Sequence, residues 1–276
     1  MAVRTVILPQ RTSLGLRSEA KDLIDHRDLL LLLVRKDLRA KYKGTTLGFL
    51  WSLLNPLLMM AVYALVYSFL FRFQMDRYPI FLLSGLLGWN AFTATITSGA
   101  SSVLLNGTLV KRVRFPVELL PLTSGLSALV NFLLSLIVLV LFTVFYRQPL
   151  GVSLIALPAV LVLQTIFSIG LALMLSAVMV YFRDIEYLVQ VALAMWFFAT
   201  PIIYPLSIVG HKHQRIADLI QANPMTWFAT SYQHIWHDDQ WPIGWQMLAM
   251  TGIAILSLVA GRWVFRRLQR RFAEEV

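Results

Sequence analysis

Six stretches of this chain are each apolar over the length needed to cross a bilayer, and that limits its fold more than any other feature. A hydrocarbon core about 30 Å thick takes roughly 20 helical residues. The stretches run Phe49–Phe71, Ile80–Leu105, Val117–Tyr146, Leu154–Tyr181, Tyr187–Tyr204 and Ile243–Val264. Hydrophobic residues make up 58% of the chain and charged residues only 14%, where a soluble domain carries about 25% charged. That much apolar surface cannot hide inside one globule of 276 residues, so lipid must cover part of it. The fold expected is an all-α membrane protein with six transmembrane helices. The chain has no cysteine, which excludes disulfides, thiolate metal sites and cysteine nucleophiles. Residues 1–28 lack the apolar core of a secretory signal peptide.

The connections between these stretches differ in charge. Ten Lys and Arg precede the first stretch, three lie between the second and third, one between the fourth and fifth, and five from Arg262 onward. The other three connections share only five. Cytoplasmic loops concentrate Lys and Arg, so both termini are expected in the cytoplasm. The even number of spans agrees. The net charge of +10 is then a topological signal, and no nucleic-acid partner is expected.

No Asp, Glu, Lys or Arg lies well inside a proposed span; Asp76, Glu118, Asp184 and Glu186 come nearest. Ion-coupled transporters and proton relays use ionisable groups within the membrane. A membrane glycosyltransferase needs acid–base groups gathered at one face, and Glu118, Asp184 and Glu186 are a sparse set. There is no G-x-x-x-x-G-K-[ST] segment to cradle a phosphate. The chain therefore reads as a conduit driven by another subunit. In the second span, "TATITSGASS" (93–102) is small and hydroxylated over much of its circumference. Such residues allow close helix packing or line a wet path. Asn55, Asn90, Asn131 and Gln164 are isolated amides suited to interhelical hydrogen bonds.

Three polar segments stand out between the spans. In "KDLIDHRDLLLLLVRKDLRAKYKG" (21–44), Ile24, Leu31, Val34, Leu38 and Tyr42 recur at helical spacing, with Arg35, Lys36, Arg39 and Lys43 mainly opposite. A basic amphipathic helix before a first span lies in the headgroup plane, and Leu29–Leu33 lets one side touch protein as well. Gly44 and Gly48 then bend the chain into the span. The second segment, "NGTLVKRVRFPVELLP" (106–121), holds Lys111, Arg112 and Arg114, which topology alone would explain. In the third, Pro201 and Pro205 end the fifth helix, and two short helices follow near 214–222 and 225–236, split by Asn223 and Pro224. They form a re-entrant pair or a hairpin at the outer interface. Trp227, Trp236, Trp241 and Trp245 crowd this segment as an interfacial aromatic belt or a platform for sugar rings. His211, His213, His234 and His237 lie there too, at a spacing that matches no zinc pattern, and no metal is expected.

Several of these stretches together resemble the membrane-spanning permeases of ABC transporters that export polysaccharides such as O-antigen, capsule, teichoic acid and mycobacterial galactan. "RKDLRAKYKGTTLGFLWSLLNPLL" (35–58) is similar to that family's approach to its first span and "LVKRVRFP" (109–116) to its 2–3 loop. "FRDIEYLVQVALAMWFFATPIIYP" (182–205) is similar to its fifth-span signature, and "NPMTWF" (223–228) to its external segment. The likeness covers nearly the whole chain from about residue 25.

The resemblance implies a homodimer of permeases with two copies of an ABC ATPase. ATP and Mg belong to that partner, so this chain has no cofactor and is not an enzyme. The implied substrate is a lipid-linked polysaccharide carried from the cytoplasm to the outer face. The implied layout is a cytoplasmic arm 1–20, an interface helix and loop 21–48, a six-span domain 49–264 and a tail 265–276. A coupling loop 106–116 would set Leu109, Val110, Lys111, Arg112, Val113, Arg114 and Phe115 against the ATPase. Arg39, Lys41, Lys43, Leu47 and Gly48 would stand at the cytoplasmic mouth. Trp51, Tyr63, Trp89, Phe92, Trp196, Phe197 and Phe198 are candidates for aromatic rings around the channel. Segment 206–242 would be an external gate, with Pro201, Pro205, Asn223, Pro224 and Trp227. Whether Lys111, Arg112 and Arg114 touch the ATPase, a lipid pyrophosphate or only headgroups stays open. The rival readings are an exporter of lipids or drugs on the same architecture, and an ion-coupled flippase or membrane glycosyltransferase.

Overall fold

The apolar stretches all become helices, and the described residues hold helices and turns only. The structure is a computed structural model that describes residues 26–70, 75–113, 115–206, 208 and 214–275. Helix α1 is Arg27–Tyr42, α2 is Trp51–Leu70, α3 is Tyr78–Leu105, α4 is Gly107–Arg112 and α5 is Leu119–Phe145. Then come α6 (Leu157–Tyr181), α7 (Ile185–Phe198), α8 (Gln214–Ala222), α9 (Pro224–Gln233), α10 (Gly244–Leu268) and α11 (Phe272–Glu275). Four helices, α3, α5, α6 with its leading turn, and α10 with its trailing turn, are long and apolar enough to cross a membrane. Two further apolar helices are shorter, Trp51–Val66 within α2 and Ile185–Phe198 as α7.

Helix α3 is the hub. Within its most apolar window 72% of the residues are buried, against 28% in the last span. Ile80, Leu82, Phe92 and Val103 on it are fully buried, and α2, α5, α6, α7 and α9 all pack against it. Its small, hydroxylated segment divides by face. Thr95, Gly99 and Ser102 are buried and Thr97 and Ser98 are exposed, so close packing and an open polar stripe coexist on one helix. Helices α6 and α10 cross almost backbone to backbone, because a Cβ on Gly261 would land on the Gly170 carbonyl.

A second core closes the basic end of the bundle. Leu33 of α1, Val103, Leu119, Leu173, Phe265 and Phe272 of α11 form one buried cluster there. Glu118 at the start of α5 meets Arg262 at 3.1 Å and Arg266 at 2.9 Å on α10, and Tyr181 donates to the Leu268 carbonyl at 2.7 Å.

The fifth apolar stretch is helical over a shorter range than its length predicts. Pro201 lacks the N–H that would continue α7 and its ring would clash with the Phe197 carbonyl. That carbonyl takes the Thr200 N–H instead, at 3.1 Å. Residues 201–203 continue as buried irregular chain. Tyr78 donates to the Ile203 carbonyl at 2.9 Å and Gln233 to the Pro201 carbonyl at 2.9 Å. Side chains thus supply what a lost helix turn would have satisfied.

Candidate functional site

The basic end carries the predicted coupling loop. Helix α4 is one short turn set between α3 and α5, and its two faces differ. Leu109, Val110 and Phe115 pack inward on the second core, while Lys111, Arg112 and Val113 are exposed. Lys36 of α1 donates to Asn106 Oδ1 at 3.3 Å, and α11 touches α4. The loop is therefore held from both sides and offers two cations and one apolar side chain outward. Arg114 lies outside the described residues.

Helix α1 lies against α5, with Leu33 and Val34 buried and Leu31 and Leu32 exposed, so it touches protein on one side only. Its end is pinned by Tyr42, whose hydroxyl donates to Asn131 Oδ1 of α5 at 2.6 Å. Gly44 and Gly48 adopt φ of 80° and 49°, left-handed values that L residues disfavour, and so turn the chain toward α2. Of the predicted mouth residues, Arg39, Lys41, Lys43 and Leu47 are exposed and Gly48 half-buried. Partial burial lowers the Lys41 ammonium below the usual lysine value, with Asp37 opposing it. An open groove of about 1320 Å³ runs beside α1, lined by Arg35, Lys36, Arg39 and Lys43 among others. A narrower cleft of about 430 Å³ lies between α2, α3 and α5.

Six of the seven predicted aromatic residues form one connected string. Tyr63 meets Phe197 at 5.8 Å between ring centroids, Phe197 meets Trp89 at 5.6 Å and Phe198 at 5.4 Å, and Phe92 meets Trp89 at 5.5 Å and Trp196 at 5.3 Å. Trp89, Phe92 and Phe197 are buried in the bundle, whereas Phe198 is 65% exposed. The string is continued inward by Phe167 and Phe228. Trp51 stands apart, 42% exposed, at the narrower cleft.

At the opposite end of the bundle, Asn223 joins α8 and α9 to α7. Its carbonyl accepts the Met225 N–H at 3.0 Å as the N-cap of α9, and the Trp196 indole N–H at 2.7 Å. Its amide donates to the Ala199 carbonyl at 3.1 Å and to Thr200 Oγ1 at 3.0 Å. Pro224 follows at N1, where its missing N–H costs nothing. Helix α9 is enclosed by α3, α6 and α10, with Met225, Phe228 and Tyr232 fully buried. Helix α8 is mostly exposed. Trp227 donates to the Gln221 carbonyl at 2.6 Å and meets Trp245 edge-on. Pro201 is buried and Pro205 half-buried; His211 and His213 lie outside the described residues.

Beyond α9 the chain makes a π turn, His234–Asp238, and three distant segments knot together. Arg77 donates to the Gln148 side chain, and Gln148 donates to the His237 carbonyl at 2.9 Å. His237 Nε2 donates to the Asp76 carbonyl at 2.9 Å, and its Nδ1 lies 2.6 Å from Asp238 Oδ1. That contact with Asp238 raises His237 above the ordinary imidazole value, against its burial. Burial lowers His234, with Asp238 opposing. Arg77, Arg147 and Asp239, the described non-glycine residues with positive φ, all belong to this knot.

With this geometry in place, comparison with known proteins is decisive. Residues 28–236 match the family described as ABC-2 type transporter. The chain belongs to that family. The matched span of this ABC-2 transporter runs from α1 into the π turn, and so contains α4 with its exposed cations, the Gly44 and Gly48 bend, the aromatic string and helices α8 and α9. It is 35% identical over 256 residues to the O-antigen export system permease protein RfbA of Myxococcus xanthus, covering 93% of this chain and 98% of that one. Two O-antigen export system permease proteins RfbA of Klebsiella pneumoniae are 31% and 30% identical over 249 residues, covering 90% of this chain and 94% of theirs.

Sequence reasoning did not single out the knot or the Glu118 pairs. Asp76 and His237 lie 161 residues apart and Glu118 and Arg266 lie 148 apart, so no local pattern announces them. It did foresee interhelical use of the isolated amides. Gln164 donates to the Gly88 carbonyl at 2.6 Å and Asn131 accepts from Tyr42. Asn55 and Asn90 instead line the narrower cleft.

Proposed function

We propose that this ABC-2 transporter is the permease subunit of an ATP-driven exporter that moves a lipid-linked polysaccharide from the cytoplasm to the outer face of a bacterial plasma membrane. The observation that carries the reading is the 35% identity, over nearly the full length of both chains, with a protein named as an O-antigen export permease. In this reading α2 and α7 complete six spans, both termini are cytoplasmic, and two permeases work with two ATPase subunits that hold ATP and Mg. Lys111, Arg112 and Val113 meet the ATPase, because they are the exposed part of a loop anchored by α1 and α11. Arg39, Lys41, Lys43, Leu47 and Gly48 receive the lipid-linked end. Helices α8 and α9, with Pro201, Pro205, Asn223, Pro224 and Trp227, form the outer gate. Spans without internal charge suit a long hydroxylated chain, which advances through many weak contacts and would stall at a strong one.

The test is deletion of the gene and complementation, reading surface polysaccharide and the lipid-linked glycan retained inside. Deletion should abolish the first and accumulate the second. Unchanged surface polysaccharide would overturn the reading. The triple variant Lys111→Glu, Arg112→Glu, Val113→Asp should fold, fail to complement, and lose copurification with the ATPase; Val110 and Phe115 are unsuitable targets because they belong to the permease's own core.

A further inference from the structure

We propose that the cleft between α2, α3 and α5 is a subsite for the sugar rings nearest the phosphate of the lipid-linked glycan, with Tyr42 as the partition between it and an anion-binding groove on α1. This rests on the export function proposed above. The cleft holds about 430 Å³ and is lined by Asn55, Asn90, Thr93, Thr97, Asn131 and Ser135 on an apolar floor that includes Leu87, three alanines and Phe132. Among the described residues no carboxylate lines it, and Lys41 is its one charged residue.

The hydrogen-bonding capacity of this lining suits hydroxyl groups. Thr93 donates to the Trp89 carbonyl at 3.1 Å, Thr97 to the Thr93 carbonyl at 2.8 Å and Ser135 to the Asn131 carbonyl at 2.9 Å. Ser135 also lies 3.1 Å from the Ser52 carbonyl on α2; in each case the proton goes to a backbone carbonyl, so the hydroxyl oxygens remain as acceptors. The Asn55 and Asn90 amides supply both donors and acceptors. A sugar hydroxyl also donates and accepts, whereas an acyl chain does neither and would leave the amides unsatisfied. Trp51 at the rim is 42% exposed and offers a face for the C–H side of a ring.

Across Tyr42 the chemistry changes. The neighbouring groove is lined by Arg35, Lys36, Arg39 and Lys43, with Asp28 the one acidic side chain among its described residues. Guanidinium and ammonium groups at this density bind phosphate. Tyr42 lines both spaces, and its 2.6 Å bond to Asn131 fixes it there. A molecule with adjoining phosphate and sugar spans the two compartments in that order. An ordinary anionic phospholipid fills only the first.

The test uses the permease–ATPase complex in nanodiscs of zwitterionic lipid and two probes, decyl diphosphate and decyl diphosphate bearing one glucose, with binding read by calorimetry. The glucose probe should bind about tenfold or more tighter. Asn90→Leu and the near-isosteric Thr97→Val should each weaken the glucose probe about 3- to 10-fold and leave decyl diphosphate unchanged. Arg39→Gln with Lys43→Gln should weaken both probes. Equal affinity for the two probes, no binding of either, or displacement of both alike by phosphatidylglycerol would overturn the subsite. Surface polysaccharide measured in the parent strain separates the two claims. Export without sugar discrimination removes the subsite alone, and absent export removes the function as well.

Discussion

Replacing Asn223 with alanine should loosen α8 and α9 from α7. The side chain makes four hydrogen bonds at 2.7–3.1 Å that join α9 to α7. Losing the N-cap costs about 1 kcal/mol. The Trp196 indole and the Thr200 and Ala199 oxygens lose partners as well, each contributing about 0.5–1.5 kcal/mol. The sum is about 2–4 kcal/mol, allowing for water reaching the more exposed groups. Asn223→Ser keeps the cap alone and should fall between wild type and alanine. The measurement is unfolding free energy in mixed micelles on titration with sodium dodecyl sulfate, with circular dichroism to confirm native helix content. Trp196→Phe removes one of the four bonds from the other side, so it and Asn223→Ala should be less than additive by about 1 kcal/mol. A loss below about 0.5 kcal/mol for alanine, or strict additivity with Trp196→Phe, would refute the reasoning.

Three further outcomes follow from the packing. Glu118→Gln should cost about 1–2 kcal/mol, since Glu118 is largely buried but Arg266 is 41% exposed and screened; a cycle with Arg266→Met should show coupling that shrinks in 1 M salt. Gly261→Ala should destabilise by about 1–3 kcal/mol or more, while Gly252→Ala on the same helix, where a Cβ meets open space, should be neutral or stabilising by up to about 1 kcal/mol; equal effects would sink the close-crossing account. His237 is held above its ordinary value by Asp238, so its contribution is fully present below about pH 6.5. That contribution fades as pH rises through the raised native value. The stability difference between wild type and His237→Asn should therefore shrink from pH 5.5 to 8.5, and growth over that range would contradict it.

Much of this architecture was legible because single helices announce themselves by composition and period. The apolar runs, the basic periodicity of α1, the Gly44 and Gly48 bends and the Asn223–Pro224 break all act within a few residues of themselves. The depth of α9 was not legible. "PMTWFATSYQ" reads as half polar, yet Thr230 and Ser231 return their protons to the Thr226 and Trp227 carbonyls at 2.7 Å. Polar residues satisfied this way cost little to bury. The aromatic residues were identified by type, but their division into core and surface depends on which helix faces meet. Segment 106–116 stood out by its charges and by its likeness to a family's 2–3 loop. That its apolar residues turn inward and its cations outward required α1 and α11 to be seen beside it.

The knot around His237 bears on how the chain is built. Asp76 and Arg77 leave the ribosome some 160 residues before His237, which at ordinary synthesis rates is about ten to thirty seconds. Arg77, held in a left-handed backbone at φ 53°, meets Gln148 after the first 71 residues of that interval, and the Asp76 carbonyl waits for His237 until its end. Only when the π turn has been made can all three segments lock, so closure of the knot requires the intervening helices to have packed in their native arrangement.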